Sequence, residues 1–243
     1  MKKTLLLFVS ITVSVLAMSQ STTNSSNSKM LDLSNRAADH LMIQYGADSW
    51  TNRPDSIRTS GFSRHFNAYF MFDKPFKGNQ KFSIAYGIGI GSSNMFFKGT
   101  NVDLKSNTAK LPFTNVDSAN HFSKYKVTTI YAEIPVELRY YSDPANPGKS
   151  WKLALGVKVG SLLKSYTKGK NLVNKAGASI YGPDYKAKES NKRFLNGTML
   201  AATARVGLGI FSIDAGYQFN GVLKDAVGPS MNKFSLGITI SGL

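Results

Sequence analysis

No cysteine occurs anywhere in the 243 residues, which excludes a disulfide framework, thiol chemistry and thiolate zinc sites. Histidine is scarce too. His40, His65 and His121 stand far apart, none at metal-ligand spacing. Acidic residues number 14 against 30 Lys and Arg, a formal charge of +16. That imbalance suits an anionic partner such as phosphate, a lipid headgroup or nucleic acid. The apolar stretch at residues 5–17 is interrupted by Ser10, Thr12 and Ser14 and falls short of the ~20 residues that span a bilayer as a helix. What remains is 42% hydrophobic and 18% charged, with 21 glycines, a chain neither disordered nor collagen-like and long enough for one sizeable domain.

Met1-Lys2-Lys3, the short apolar stretch and the small residues Ala17 and Ser19 match a secretory signal peptide cleaved after Ser19. The position after the cut is Gln20 rather than cysteine, so this is not a lipoprotein signal. Cleavage removes Lys2 and Lys3 and lowers the charge from +16 to +14. Export argues against nucleic acid as the partner. The expected organisation is a signal peptide at 1–19, a Ser/Asn/Thr-rich periplasmic leader at 20–39 and one domain at 40–243.

From residue 40 onward the dominant signal is alternation. Ile130, Ala132, Ile134, Val136, Leu138 and Tyr140 interleave with Tyr131, Glu133, Pro135, Glu137, Arg139 and Tyr141. A period of two puts these sets on opposite faces of a strand. Trp151 to Val159 repeats it, with Lys152, Ala154, Gly156 and Lys158 on the second face. Phe82 to Ile90 alternates with Ser83, Ala85, Gly87 and Gly89, and similar patterns recur elsewhere. The expected strands are 40–48, 61–73, 81–97, 127–142, 150–166, 195–207, 210–219 and 231–242. Short Gly/Pro/Asn turns join strands two to three, four to five and six to seven, and longer segments join the others. An even number of antiparallel strands closes on itself, and short turns on one rim with long loops on the other describe an outer-membrane barrel.

Sidedness decides between this and a soluble lipocalin-like barrel. The polar face is crowded with Ala85, Gly87, Gly89, Gly91, Gly156 and Gly160, and small residues suit a cramped lumen. Tyr140 and Trp151 end apolar faces, where an interfacial aromatic girdle belongs. The expectation is therefore an all-β, eight-stranded antiparallel up-and-down transmembrane β-barrel. It places Glu133, Glu137 and Arg139 inside beside Lys152 and Lys158. Unpaired buried charges are costly, so a paired network and a plugged core without an open pore follow.

The segment 133–140 (Glu-Ile-Pro-Val-Glu-Leu-Arg-Tyr), the segment 154–160 (Ala-Leu-Gly-Val-Lys-Val-Gly) and the closing 237–243 resemble the outer-membrane β-barrel family of Bacteroidetes that includes the PorT-like proteins. The resemblance implies an eight-stranded barrel in the cell outer membrane. Some relatives are linked to a protein secretion system, and the family offers no catalytic motif or cofactor to carry over.

Other motifs have simpler readings. Gly87-Ile88-Gly89-Ile90-Gly91 lacks the third glycine of a dinucleotide fingerprint and no helix follows. A membrane-embedded esterase or acyltransferase needs His beside Ser and a carboxylate, for which His65, Ser212 and Asp214 are the candidates. Residues 168–193 carry seven basic side chains (Lys168, Lys170, Lys175, Lys186, Lys188, Lys192 and Arg193) against two acidic ones, with Tyr181 and Tyr185 between them. Such an exported loop would meet lipopolysaccharide phosphates first. The resulting expectation is a non-enzymatic outer-membrane component, structural or accessory to an envelope or secretion complex, with outer-membrane lipid, lipopolysaccharide and possible envelope proteins as partners and no cofactor. The alternatives are a lipid-modifying enzyme and a narrow solute channel.

Overall fold

A computed structural model of the chain describes residues 40–60 and 62–242. The expected signal peptide at 1–19 and leader at 20–39 therefore lie outside the described residues. The strands are β1 (Leu41–Thr51), β2 (Arg64–Pro75), β3 (Phe82–Phe97), β4 (Thr100–Val102), β5 (Phe113–Asn115), β6 (His121–Tyr141), β7 (Trp151–Val173), β8 (Lys186–Ser190), β9 (Thr198–Leu208), β10 (Phe211–Gln218) and β11 (Asn232–Ser241). A 3-10 turn at Pro147–Lys149 is the one helical element among the described residues.

Eight of these strands close a ring in the order β1-β2-β3-β6-β7-β9-β10-β11, with β1 hydrogen-bonded to both β2 and β11. Every pairing is antiparallel, so the expected up-and-down barrel is the fold. Closure removes the unpaired edges that a half-apolar sheet would expose.

The outward face is apolar. Ile88 is 61% exposed, Trp151 61% and Ile213 59%, and outward positions on all eight strands follow the same rule. The inward face holds the polar and charged groups. Glycines there make room for large neighbours. A methyl added at Gly89 would strike the ring of Tyr69, and one at Gly91 would strike the carboxylate of Glu133. Glycine on the inward face is thus paired with bulk on the adjoining strand, which is how a narrow barrel fills its interior.

Two strands run further than the alternation indicated. β6 begins at His121 rather than 127, and β7 reaches Val173 rather than 166. Beyond the bilayer the outward side chains no longer need to be apolar, so the hydrophobic period fades while the hydrogen-bond ladder continues. A register shift at Ile130/Tyr131 marks the changeover, where Leu163 and Lys164 are both exposed. The segments expected as long loops also contain strands. β4 and β5 pair with each other, and β8 pairs with the upper part of β7.

Candidate functional site: a filled lumen and a lysine-lined outer face

The inward charges meet as a network at mid-barrel. Lys158 Nζ lies 3.0 Å from Glu133 Oε2 and donates to Tyr69 Oη at 3.1 Å, and Tyr69 donates to Glu133 at 2.5 Å. Below them, Glu137 Oε2 accepts from Arg139 Nε at 2.9 Å and from Arg205 Nη2 at 2.7 Å. Asp73 stands 3.9 Å from Arg139. Lys152 is buried with its ammonium 5.4 Å from the ring of Tyr141. All five predicted residues, Glu133, Glu137, Arg139, Lys152 and Lys158, face inward and are buried.

A third cluster joins the candidates His65 and Asp214 to Asp48, which sequence spacing does not bring to them. Asp48 lies 2.8 Å from His65 Nδ1, accepts from Ser235 Oγ at 2.7 Å and accepts from Ser93 Oγ. Asp214 accepts from Thr239 at 2.7 Å and comes within 4.0 Å of His65 Nε2. The serine hydroxyls here serve Asp48 rather than the imidazole. Ser212 Oγ and His65 Nε2 have no hydrogen-bond partner among the described residues, so the His65, Ser212 and Asp214 trio is not assembled as a charge-relay chain. Arg205, Asp48 and Asp214 all sit at inward-parity positions, a signal that strict bookkeeping of alternation reveals.

Above this polar layer the lumen turns apolar. Trp50, Met95, Val127, Tyr131, Leu162 and Met199 from the strands pack with Ile57, Leu104, Leu111, Phe194, Leu195, Val222 and Leu223 from the connections. At the other end Met42, Tyr69, Met71 and Ala85 form a smaller cluster. Among the described residues, two cavities inside the barrel measure about 20 and about 10 Å³, room for about one water each.

The second site is on the outer surface. Cross-strand register aligns Lys126 (β6), Lys168 (β7) and Lys188 (β8) in one row, and Lys124, Lys170 and Lys186 in the next. Direct cross-strand neighbours lie ≈ 5 Å apart. These rows stand just past the apolar belt that ends at Ile130 and Leu163. A recess of about 130 Å³ is lined by Phe96, Lys124, Tyr125, Lys126, Lys168 and Lys170. Arg64 and Lys126 sit 5.2 and 5.7 Å from the ring of Phe96, and Lys188 is 4.1 Å from that of Tyr166. Lys170 reaches the carboxylate of Asp184 at 3.6 Å. Partial burial, reinforced by nearby Lys168 and Arg64, lowers the pKa of Lys126.

The basic residues of 168–193 are thus not one loop, which corrects the sequence expectation. Lys168, Lys170, Lys186 and Lys188 are held on strands, while Lys175, Lys192 and Arg193 lie in the connections. The joining of Lys124 and Lys126 to the set depends on strand register and was not visible from spacing.

No curated protein matches the chain. Solved structures similar to it include Ail, the attachment invasion locus protein of Yersinia pestis, in complex with the heparin analogue sucrose octasulfate (15% identity, TM-score 0.33, covering 83% of this chain and 95% of that one). Another is the backbone structure of the Yersinia pestis outer membrane protein Ail in a phospholipid bilayer nanodisc (16% identity, TM-score 0.31, covering 83% and 97%). A family model described as "Outer membrane protein beta-barrel domain" matches residues 17–224. With a closed eight-stranded ring, an apolar exterior and this match over most of its length, the chain belongs to the outer membrane protein beta-barrel domain family and resides in the outer membrane.

Proposed function

We propose that the protein is a non-catalytic, pore-less component of the outer membrane that holds phosphate-bearing outer-leaflet lipid, lipopolysaccharide above all, against its lysine rows. The observation that carries this reading is the pair of three-lysine rows set immediately beyond the apolar belt. Like charges facing each other across strands repel, so an anion bound between them would relieve the repulsion, as Asp184 does beside Lys170. Short turns on the opposite rim put the lysines on the outer side of the membrane, where lipid phosphates lie at that depth. Lys175, Lys192 and Arg193 extend the positive field over the connections.

Within the envelope this anchoring suits a structural or accessory subunit of a larger assembly, and the segments 133–140 and 154–160 favour the PorT-like branch of Bacteroidetes barrels. Lipid A binding measured at low and high salt, with Lys168, Lys170 and Lys188 replaced by Ser, tests the lipid reading. Weaker binding and a flatter salt dependence are expected, and unchanged binding rejects it. Crosslinking in intact cells tests the accessory role, and recovery of lipid alone counts against it. The channel alternative predicts stepwise conductance in planar bilayers, which the filled lumen disfavours.

A further inference from the structure

The inner, concave side of the same strand extension carries no lysine row but a run of aromatic rings. Trp50 and Phe97 lie 5.6 Å apart, Phe97 and Tyr125 6.4 Å, Tyr125 and Phe122 6.0 Å, Phe122 and Tyr185 6.4 Å, and Tyr185 and Tyr181 4.9 Å between centroids. The planes of Tyr125, Phe122 and Tyr185 are close to parallel, at 12° and 8° in successive pairs. The run climbs from the buried core at Trp50 to Tyr181, which is 65% exposed. Phe122 lies flat over Gly169, where any side chain would collide with its ring.

Midway along the run a cavity of about 100 Å³ opens between Phe97, Phe122 and Tyr125, and its remaining wall includes Asn101, Asn120 and His121. His121 Nδ1 lies 3.0 Å from the carbonyl oxygen of Ala119. Donation of its proton there makes Nε2 an acceptor. The exposed amides of Asn101 and Asn120 supply both donors and acceptors. Tyr125 contributes its ring, because its hydroxyl is engaged with the backbone of Val102 at 2.7 Å.

We infer that this face binds a neutral glycan, with pyranose rings laid on Tyr181, Tyr185 and Phe122 and one sugar hydroxyl cluster held at the Asn101, Asn120 and His121 wall. Flat aromatic faces beside a few uncharged hydrogen-bonding groups match the alternating C–H and hydroxyl surfaces of a sugar ring. Charge separation selects the neutral ligand. The lysines point to the opposite face of the same strands, and Arg58 beside the cavity is paired with Asp117. A phosphorylated or nucleotide ligand would find its cations on the wrong side.

The inference does not depend on the lysine rows. The test uses the full chain in zwitterionic micelles, titrated with neutral hexaoses of glucose, mannose and galactose and with lipid-free polysaccharide released from the outer membrane by mild acid. Calorimetry is expected to show saturable binding of at least one of them, weakened about tenfold by Tyr185→Ala and further by adding Tyr181→Ala. Tyr185→Phe should retain binding, as should Lys168→Ser with Lys188→Ser, and salt should have little effect. Binding of the released polysaccharide assigns the ligand to neighbouring lipopolysaccharide, and binding of hexaoses alone assigns it to external glycan. Both outcomes support the inference. It is overturned if no saccharide binds saturably, if Tyr181→Ala/Tyr185→Ala binds as the parent does, or if binding vanishes with salt and with the lysine replacements. The last result would attribute binding to the lipid-facing rows instead.

Discussion

Lys158 and Glu133 form their ion pair diagonally. Glu133 has Gly160 as its cross-strand partner and Lys158 has Pro135, yet Nζ and Oε2 meet at 3.0 Å. The space above Gly160 and the proline opposite leave the two long side chains free to lean toward each other, and Tyr69 from β2 completes the triad. Losing one member of a buried pair strands the other charge at a cost of about 3–5 kcal/mol. Glu133→Ala should therefore destabilise the barrel by about that amount in denaturant unfolding from micelles. Replacing both residues by apolar ones of similar volume should cost much less. Equal losses in the single and double variants would remove the pair from the account of stability.

Outward-facing residues should behave in the opposite way. Val157 lies midway along the exposed apolar side of β7, facing outward like Leu155 and Val159. Val157→Arg should cost about 2–4 kcal/mol, the penalty of a cation at the bilayer midplane. Lys168→Arg, beyond the belt, should be close to neutral. Refolding equilibria in bilayers measure both, and a neutral Val157→Arg would contradict the assigned sidedness.

Gly91 and Gly148 separate crowding from mere glycine preference. A methyl at Gly91 would run into Glu133 and Asn67, whereas nothing lies within 4 Å of one at Gly148. Gly91→Ala should lose about 1–3 kcal/mol through overpacking, and Gly148→Ala should be nearly silent. Thermal unfolding of the two variants side by side decides.

Asp143, in the turn between β6 and β7, accepts hydrogen bonds from the side-chain amide of Asn146 and the backbone N–H of Ala145. These donors favour its ionised form and hold its pKa below the usual carboxylate range. Because the folded value is depressed, the turn's stabilisation is present above the unfolded pKa and is lost as pH falls through the folded one. Asp143→Asn should abolish this acid-range dependence in the chemical shifts of 143–150. Titration at the ordinary aspartate value would refute the assignment.

Much of the barrel was legible because its physics is local. Each outward apolar side chain from Phe82 to Ile90 and from Trp151 to Val159 satisfies the same demand from hydrocarbon, so parity separated the two faces of each strand, and the small residues on the polar face with the aromatic ends of the apolar one identified which face turns outward. Parity also located Glu133, Glu137, Arg139, Lys152 and Lys158 inside. It carried the signals for Asp48 and Arg205 as well, although their strands alternate less clearly. The lysine rows were not legible. Their spacing along the chain is unremarkable for a basic loop, and only the register of β6, β7 and β8 sets Lys126, Lys168 and Lys188 side by side.

The amino-acid order by itself determined the strand-rich class, the two-faced character of each strand and the inward turn of the charges, because a period of two needs nothing beyond one strand and its surroundings. Tertiary structure decided which charges pair, how far β6 and β7 run past the bilayer, and how Ile57, Leu104, Phe194 and Leu223 close over the barrel mouth. Those outcomes depend on contacts between residues tens to hundreds of positions apart. Such contacts are fixed by ring closure and strand register, which no single stretch of sequence encodes.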